Sequence, residues 1–215
     1  MCGIVCAFDL KQKAEVLRPK VLEMSKIIRH RGPDWSGIYS NDKAIMAHER
    51  LAIVDPASGK QPLFSQDGKL VLAANGEIYN HTDLRDLLSA SQLGTPAQPW
   101  RGHSDTETLL ACLEAWGLEE TLKKTVGMFA IALWDTQTRT LHLVRDRFGE
   151  KPLYYGWAGS GAGRAFVFGS ELKALRAFQG FANPVCRQAL TQYMRFMYVP
   201  APRSIYQGVF KLEPG

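Results

Sequence analysis

The strongest constraint on how this chain can fold is a repeated pattern of two short alternating runs joined by a turn. Residues 129–133 and 141–143 alternate large and small side chains on either side of Asp135-Thr136-Gln137-Thr138, a hairpin signal. A second pairing spans 153–168 and turns through Gly159-Ser160-Gly161-Ala162-Gly163. Connections this short join only antiparallel neighbours, because a parallel pair needs a crossover of a dozen or more residues. Further β-rich runs at 4–8, 36–40, 44–54 and 69–74 are punctuated by Asn41-Asp42 and by Pro56-Ala57-Ser58-Gly59. In the first of them Ile4, Cys6 and Phe8, with Cys2 ahead of them, share one face.

Helical periodicity appears between these runs. Leu17, Val21, Met24 and Ile28 recur at three- and four-residue spacing, a stripe that stops at Arg31-Gly32-Pro33-Asp34. A short helix is predicted over 82–88. A longer one follows Ser104-Asp105-Thr106-Glu107, whose spacing is that of a capping box, and carries Leu109, Leu110, Leu113 and Trp116. Ser170 is placed to cap a helix over 171–178. Between the middle helices, 89–103 reads as a surface loop. Half-buried strands and striped helices must cover one another, so the fold class is α+β with layered packing. The Pro-rich Val199-Pro200-Ala201-Pro202-Arg203 reads as a connector, which makes 1–198 the domain and 199–215 a connector toward a further domain.

Charge and composition narrow the function. The net charge is +5, but the basic residues are scattered, without the run of Lys and Arg that a nucleic-acid arm would show. No apolar stretch reaches the ~18 residues of a membrane span, and the opening apolar run lacks the basic flank of a secretory signal. Cysteines at 2, 6, 112 and 186 make neither a disulfide scaffold nor a Cys-x-x-Cys zinc pair, and the histidines show no ligand spacing. The expectations are a cytoplasmic protein with no metal, no nucleic acid and no membrane partner. Neither a phosphate-binding loop nor a Gly-x-Ser-x-Gly elbow occurs.

Several residues admit both a chemical and a structural reading. Removal of Met1 would leave Cys2 with a free α-amine beside its thiol, a base that titrates near ~7.7–8.0. Otherwise Cys2 is a small buried strand residue. Cys6, in mid-strand, has no such base and reads as core, as does Cys112. Asn75-Gly76 offers a side-chain amide and a backbone N–H as two oxyanion donors, or it is a hairpin turn. Arg50, inside a predicted strand, needs a partner, which can be a ligand carboxylate or an internal acid. Asp105 either complements a helix dipole or pairs with a ligand ammonium group. The 30–34 segment is either a helix stop or a loop ordered near a ligand.

Taken together these runs resemble the glutaminase domain of glutamine-hydrolysing asparagine synthetase, a class II glutamine amidotransferase of the N-terminal-nucleophile hydrolase type. The resemblance rests on Met-Cys-Gly-Ile at 1–4, Arg-His-Arg-Gly-Pro-Asp at 29–34 and His-Glu-Arg-Leu-Ala-Ile-Val-Asp at 48–55. It continues with Gln-Pro-Leu at 61–63, Asn-Gly-Glu-Ile-Tyr-Asn at 75–80, Ser-Asp-Thr-Glu at 104–107 and Gly-Met-Phe-Ala at 127–130. Arg-Asp-Arg-Phe-Gly-Glu-Lys-Pro-Leu-Tyr-Tyr at 145–155 and Ser-Glu-Leu-Lys-Ala-Leu at 170–175 complete it. The order and spacing of these runs carry the specificity.

The resemblance implies a four-layer αββα sandwich of two antiparallel sheets. It implies Cys2 as nucleophile, with Asn75 and Gly76 as oxyanion donors. Arg50 would hold the glutamine α-carboxylate, Glu77 and Asp105 its α-ammonium, and Leu51 and Val54 would line the pocket. The activity implied is hydrolysis of glutamine to glutamate and ammonia, for ATP-dependent amidation of aspartate to asparagine. ATP and magnesium are then expected only in a C-terminal synthetase domain absent from this chain, and a homodimer is one expected assembly. Two rivals remain open: a related amidotransferase delivering ammonia to a sugar or other acceptor, which the Tyr198–Pro202 stretch suits, and a non-catalytic form that retains Met1.

Overall fold

The computed structural model describes residues 1–90 and 100–215; most of the predicted 89–103 loop lies outside them. Ten strands form two antiparallel sheets. The strands are β1 (Gly3–Phe8), β2 (Trp35–Ser40), β3 (Ala44–Arg50), β4 (Leu63–Phe64), β5 (Leu70–Ile78), β6 (Gly127–Asp135), β7 (Thr140–Arg145), β8 (Tyr154–Ala158), β9 (Ala165–Gly169) and β10 (Val209–Lys211). The six-stranded sheet runs β10-β8-β9-β1-β3-β2 and the four-stranded sheet β4-β5-β6-β7. Both predicted hairpins form, as β6–β7 and β8–β9. The helices are α1 (Ala14–Ile27), α2 (His81–Ala90), α3 (Asp105–Lys124), α4 (Leu172–Arg176) and α5 (Arg187–Phe196).

The period of two in the strands sorts side chains into layers. In β1, Val5 and Ala7 point outward and pack under α1 and α4, joined by Ile45, Ala47 and the α1 stripe of Leu17, Val21, Met24 and Ile28. Ile4 and Cys6 point the other way, toward the second sheet, with Met46 and Phe168. The four-stranded sheet mirrors this. Leu72, Ala74, Ile131 and Leu133 face α2 and α3, where Leu84, Leu88, Leu109 and Leu113 cover them. Val71, Ala73, Ala130, Ala132 and Trp134 face the first sheet. The result is the four-layer αββα sandwich, with a dry apolar layer between the sheets.

Several local expectations are corrected. The strand predicted over 44–54 ends at Arg50. The strand predicted to stop at Ala74 continues through Asn75, Gly76 and Glu77 to Ile78, so Asn75-Gly76 is no turn. Neither Ser104 nor Ser170 caps its helix through its side chain. Ser104 Oγ shares a hydrogen bond with Thr106 Oγ1 at 2.6 Å, and Glu107 accepts from the Arg101 and Gly102 N–H groups. Ser170 Oγ accepts from Ile4 N–H at 3.0 Å, which ties β1 to the start of α4. Three elements escaped the sequence reading: β4, α5, and β10, which pairs with β8 through Val209↔Gly156 and Lys211↔Tyr154. All are short, and β4 and β10 are defined by their neighbours rather than by their own pattern.

Phe168 is fully buried in the layer between the sheets. Phe168→Ala is expected to destabilise the fold by about 3–5 kcal/mol, read as a shift in the urea midpoint at unchanged slope.

Candidate active site

The alternation that builds the core also aims the site. Cys2 continues the inward-facing series of Ile4 and Cys6; His48 and Arg50 continue that of Met46; Asn75 and Glu77 continue that of Val71 and Ala73. All project into the gap between the sheets, at the end where the apolar side chains give out. There Cys2, Arg50, Asn75 and Glu77 line one cavity, with Met1, Leu51, Ile53, Val54, Gln61, Gly76, Ser104, Asp105, Thr106, Met128 and Lys151 completing its wall. Every residue singled out by the resemblance, Cys2, Arg50, Leu51, Val54, Asn75, Gly76, Glu77 and Asp105, is on this wall.

Cys2 sits just before β1. Its Sγ accepts from the Leu51 N–H at 3.4 Å and lies 3.7 Å from the Leu51 carbonyl oxygen. Burial pushes its thiol above its ordinary pKa; the Leu51 N–H, the chain's amine and the Arg50 guanidinium oppose that rise. A thiol so placed stays protonated at neutral pH and needs a proton acceptor to react. The chain's α-amine is moved the other way: burial lowers its pKa, the Arg31 and Lys151 cations lower it further, and Cys2 and Asp34 oppose. Burial also holds the other core thiols protonated, Cys112 at about 12 and Cys6 well above its ordinary value. Arg31 Nε donates to the Cys2 carbonyl oxygen at 2.9 Å, and its Nη1 pairs with Glu171 at 3.0 Å. The Ala52 N–H donates to Asp34 at 2.8 Å. The 30–34 segment is therefore an ordered clasp on the N-terminus as well as a helix stop.

Arg50 is buried, and its guanidinium donates to the carbonyls of Val54 at 3.1 Å, Asp55 at 2.7 Å and Pro56 at 3.4 Å. Among the described residues no carboxylate pairs with it, so its charge is held in place without being neutralised. Asp105, buried at the first turn of α3, accepts the Ile78 N–H at 2.9 Å through one oxygen. Neither Asp105 nor Glu77 forms an ion pair among the described residues. Asn75 is 0% exposed, and both polar atoms of its side chain lack a partner among those residues. An amide left so in an apolar layer costs about 1–3 kcal/mol unless something enters to bond it.

Gly76 is glycine because β6 passes too close for a side chain. A Cβ there would run into the Met128 carbonyl oxygen and the Phe129 backbone of β6. Ladder geometry also orients its N–H. Tyr79 donates to Val126, and Thr136 to Lys69, directly across from one another. Odd-numbered residues of β5 therefore bond to β6, and even-numbered N–H groups point away. The Gly76 N–H is aimed to the side opposite β6.

Lys151 was not singled out by sequence. It is buried against the cavity and forms no ion pair among the described residues. The turn that carries it is built on Asp146, whose carboxylate accepts the N–H groups of Phe129, Phe148, Glu150 and Lys151 at 2.9–3.3 Å. Those residues lie in the quoted 145–155 run, but a structural turn and a cavity lining look alike in sequence. Among the described residues no cluster of His, Cys, Asp and Glu could hold a metal ion, and no helix is long and apolar enough to cross a membrane.

Two facing antiparallel sheets with helices outside and the Cys2 thiol at their mouth make the four-layer αββα fold that the resemblance to N-terminal-nucleophile hydrolases implies. A family model described as a glutamine amidotransferase domain matches residues 1–215, and the chain belongs to that family. It is 47% identical over 187 residues to asparagine synthetase B [glutamine-hydrolyzing] of Escherichia coli (strain K12), covering 87% of this chain and 31% of that one. It is 42% identical over 175 residues to asparagine synthetase [glutamine-hydrolyzing] 3 of Arabidopsis thaliana, covering 81% and 28%. The chain thus spans about a third of the length of the curated relatives it matches. Among solved structures, the glutamine phosphoribosylpyrophosphate amidotransferase from B. subtilis superposes with a TM-score of 0.61 at 22% identity, over 86% of this chain and 45% of that one. An allosteric regulatory enzyme of purine biosynthesis gives 0.64 at 21%, over 84% and 44%. These two share the fold.

Burial opposes ionisation of Asp146, but four backbone N–H bonds outweigh it and hold its pKa below the ordinary carboxylate value. Asp146→Ala is expected to cost at least about 2 kcal/mol at pH 7, since even one charge-assisted bond contributes ~1.5–3. Because the folded-state pKa is the lower one, this contribution is complete above the unfolded-chain pKa and is lost as pH falls through the depressed value. Urea titrations of wild type and variant should therefore converge toward acid pH.

Proposed function

We propose that this chain hydrolyses glutamine to glutamate and ammonia with Cys2 as nucleophile. The observation that carries the reading is a single cavity holding a thiol, an orphaned amide, a guanidinium with no carboxylate partner and two carboxylates with no cation partner, all among the described residues. That set complements a zwitterion bearing a carboxamide. Arg50 would take the α-carboxylate in a forked pair, and Asp105 and Glu77 the α-ammonium. Leu51 and Val54 contribute main-chain walls. The family and the names of the relatives support the same substrate.

Removal of Met1 would place the α-amine on Cys2 itself. An α-amine ordinarily titrates near ~7.7–8.0, so its neutral form is available as a base close to neutral pH. It takes the Sγ proton as sulfur attacks the side-chain carbonyl carbon, and the resulting oxyanion is met by the Asn75 amide and the Gly76 N–H. The ammonium then gives its proton to the departing nitrogen, the C–N bond breaks and ammonia leaves a γ-glutamyl thioester. Water, deprotonated by the same amine, releases glutamate and regenerates the thiol. Loss of one oxyanion donor would cost about 10²–10³ in rate.

The longer relatives are named for asparagine synthesis. We extend the proposal to ammonia delivery toward an ATP-dependent, magnesium-using synthetase domain lying outside these residues, with aspartate as acceptor. A second reading is favoured by one contact: Met1 lines the cavity, so a chain that keeps it would obstruct its own site and lose the adjacent amine.

Intact mass and ammonia release test both readings. A mass lacking Met1, glutamine turnover in wild type and none in Cys2→Ala are the expected results. Turnover by Cys2→Ala refutes the mechanism, and a retained Met1 without turnover supports the second reading. Arg50→Met is expected to raise KM for glutamine by at least tenfold, since a forked charge-assisted pair is lost.

A further inference from the structure

Among the described residues no strand neighbours the edge of β5 that carries Asn75 and Gly76. β4 pairs with β5 only at Leu63↔Leu72 and Phe64↔Val71, so the outward-pointing backbone groups from Ala74 to Ile78 have no ladder partner on that side. Unpaired buried backbone groups must be satisfied somehow. Side chains supply what a strand would have given. The Ala74 N–H donates to Gln61 Oε1 at 2.6 Å, and the Ala74 carbonyl accepts from His48 Nε2 at 3.0 Å. The Ile78 N–H donates to Asp105 at 2.9 Å. Gly76 lies between these fixed points, with its N–H on the same side and facing the cavity.

We infer that His48 and Gln61 are positioning residues: together they clamp both backbone groups of Ala74 and so fix the direction of the Asn75 amide and the Gly76 N–H. His48 reaches from β3, in the same sheet as β1 and Cys2, to β5 in the other sheet. The bond therefore also sets the separation between nucleophile and oxyanion donors. A carbonyl only accepts, so Nε2 carries the proton. Burial first of all, opposed by the Ala74 bond, lowers the His48 pKa to about 4 and keeps the ring neutral. Neither side chain is asked to touch substrate. The catalytic part of this inference rests on the glutaminase reading; the clamp itself does not.

The test uses the purified chain with His48→Leu, which removes the donor, His48→Gln, whose amide nitrogen can stand near the Nε2 position, and Gln61→Met, which removes the other half. Glutaminase kcat is expected to fall tenfold or more in His48→Leu and Gln61→Met with KM within about twofold, because an oxyanion donor acts mainly in the transition state. His48→Gln should recover most of the loss. Inhibition by glutamate γ-semialdehyde, whose thiohemiacetal oxygen would meet the same donors, should weaken in parallel with kcat, while inhibition by glutamate stays constant. Hydrogen exchange over 74–78 should quicken in His48→Leu and in Gln61→Met. Unchanged kcat, equal losses in His48→Gln and His48→Leu, or a rise in KM matching the fall in kcat overturns the positioning role. If His48→Leu does not fold, Gln61→Met decides by the same criteria. A wild-type protein without glutaminase activity overturns the substrate reading instead; the exchange data then decide the clamp alone, and exchange unaltered by His48→Leu and Gln61→Met would overturn it.

Discussion

The apolar layer between the two sheets is the constraint on which the rest of the molecule depends. Ile4, Met46 and Phe168 on one side meet Val71, Ala132 and Trp134 on the other, all at or near zero exposure. Sheets packed in this way lie about 10 Å apart. That spacing brings a thiol on one sheet and a carboxamide on the other to a single cavity. Without the layer, Cys2 and Asn75 would be two unrelated strand residues.

The site is where this layer stops being apolar. Its inward-facing positions change from Met46 to His48 and Arg50 along β3, and from Ala73 to Asn75 and Glu77 along β5. Polar groups held in such a place are either bonded or exact a cost. His48 Nε2 and Gln61 Oε1 are bonded, to backbone, while His48 Nδ1 has no partner among the described residues. The Asn75 amide has no bond among them, and Arg50 is bonded without being neutralised. The contrast separates residues that hold the frame from residues left ready for a ligand. It also accounts for the Asp146 turn, which uses a buried carboxylate to deliver Lys151 to the cavity wall.

Much of the architecture was legible because it is written in periods. The stripe of Leu17, Val21, Met24 and Ile28 is buried as its spacing predicts, and both hairpins close where their turn residues lie. The order of the matched runs pointed to the family. Local signals failed where a long-range partner outcompeted them. Asn75-Gly76 has the chemistry of a turn, but β6 pairs with it residue for residue and keeps it extended. Ser170 has the chemistry of a cap, but its hydroxyl is taken by the distant Ile4 N–H; the Ser104 hydroxyl is lost to a local competitor, Thr106.

By itself the sequence determined the antiparallel, layered α+β class, the face of each strand that would be buried, and which side chains were chemically able to act. These follow from periodicity and residue type, which are local properties. Only the tertiary structure decided that those side chains share one cavity, that Arg50, Glu77 and Asp105 have no ion-pair partner among the described residues, and that Gln61, His48 and Lys151 stand beside them. Such facts depend on which strand lies next to which, and on whether a partner 20 or 50 residues away arrives first. No short-range pattern encodes that competition; packing resolves it.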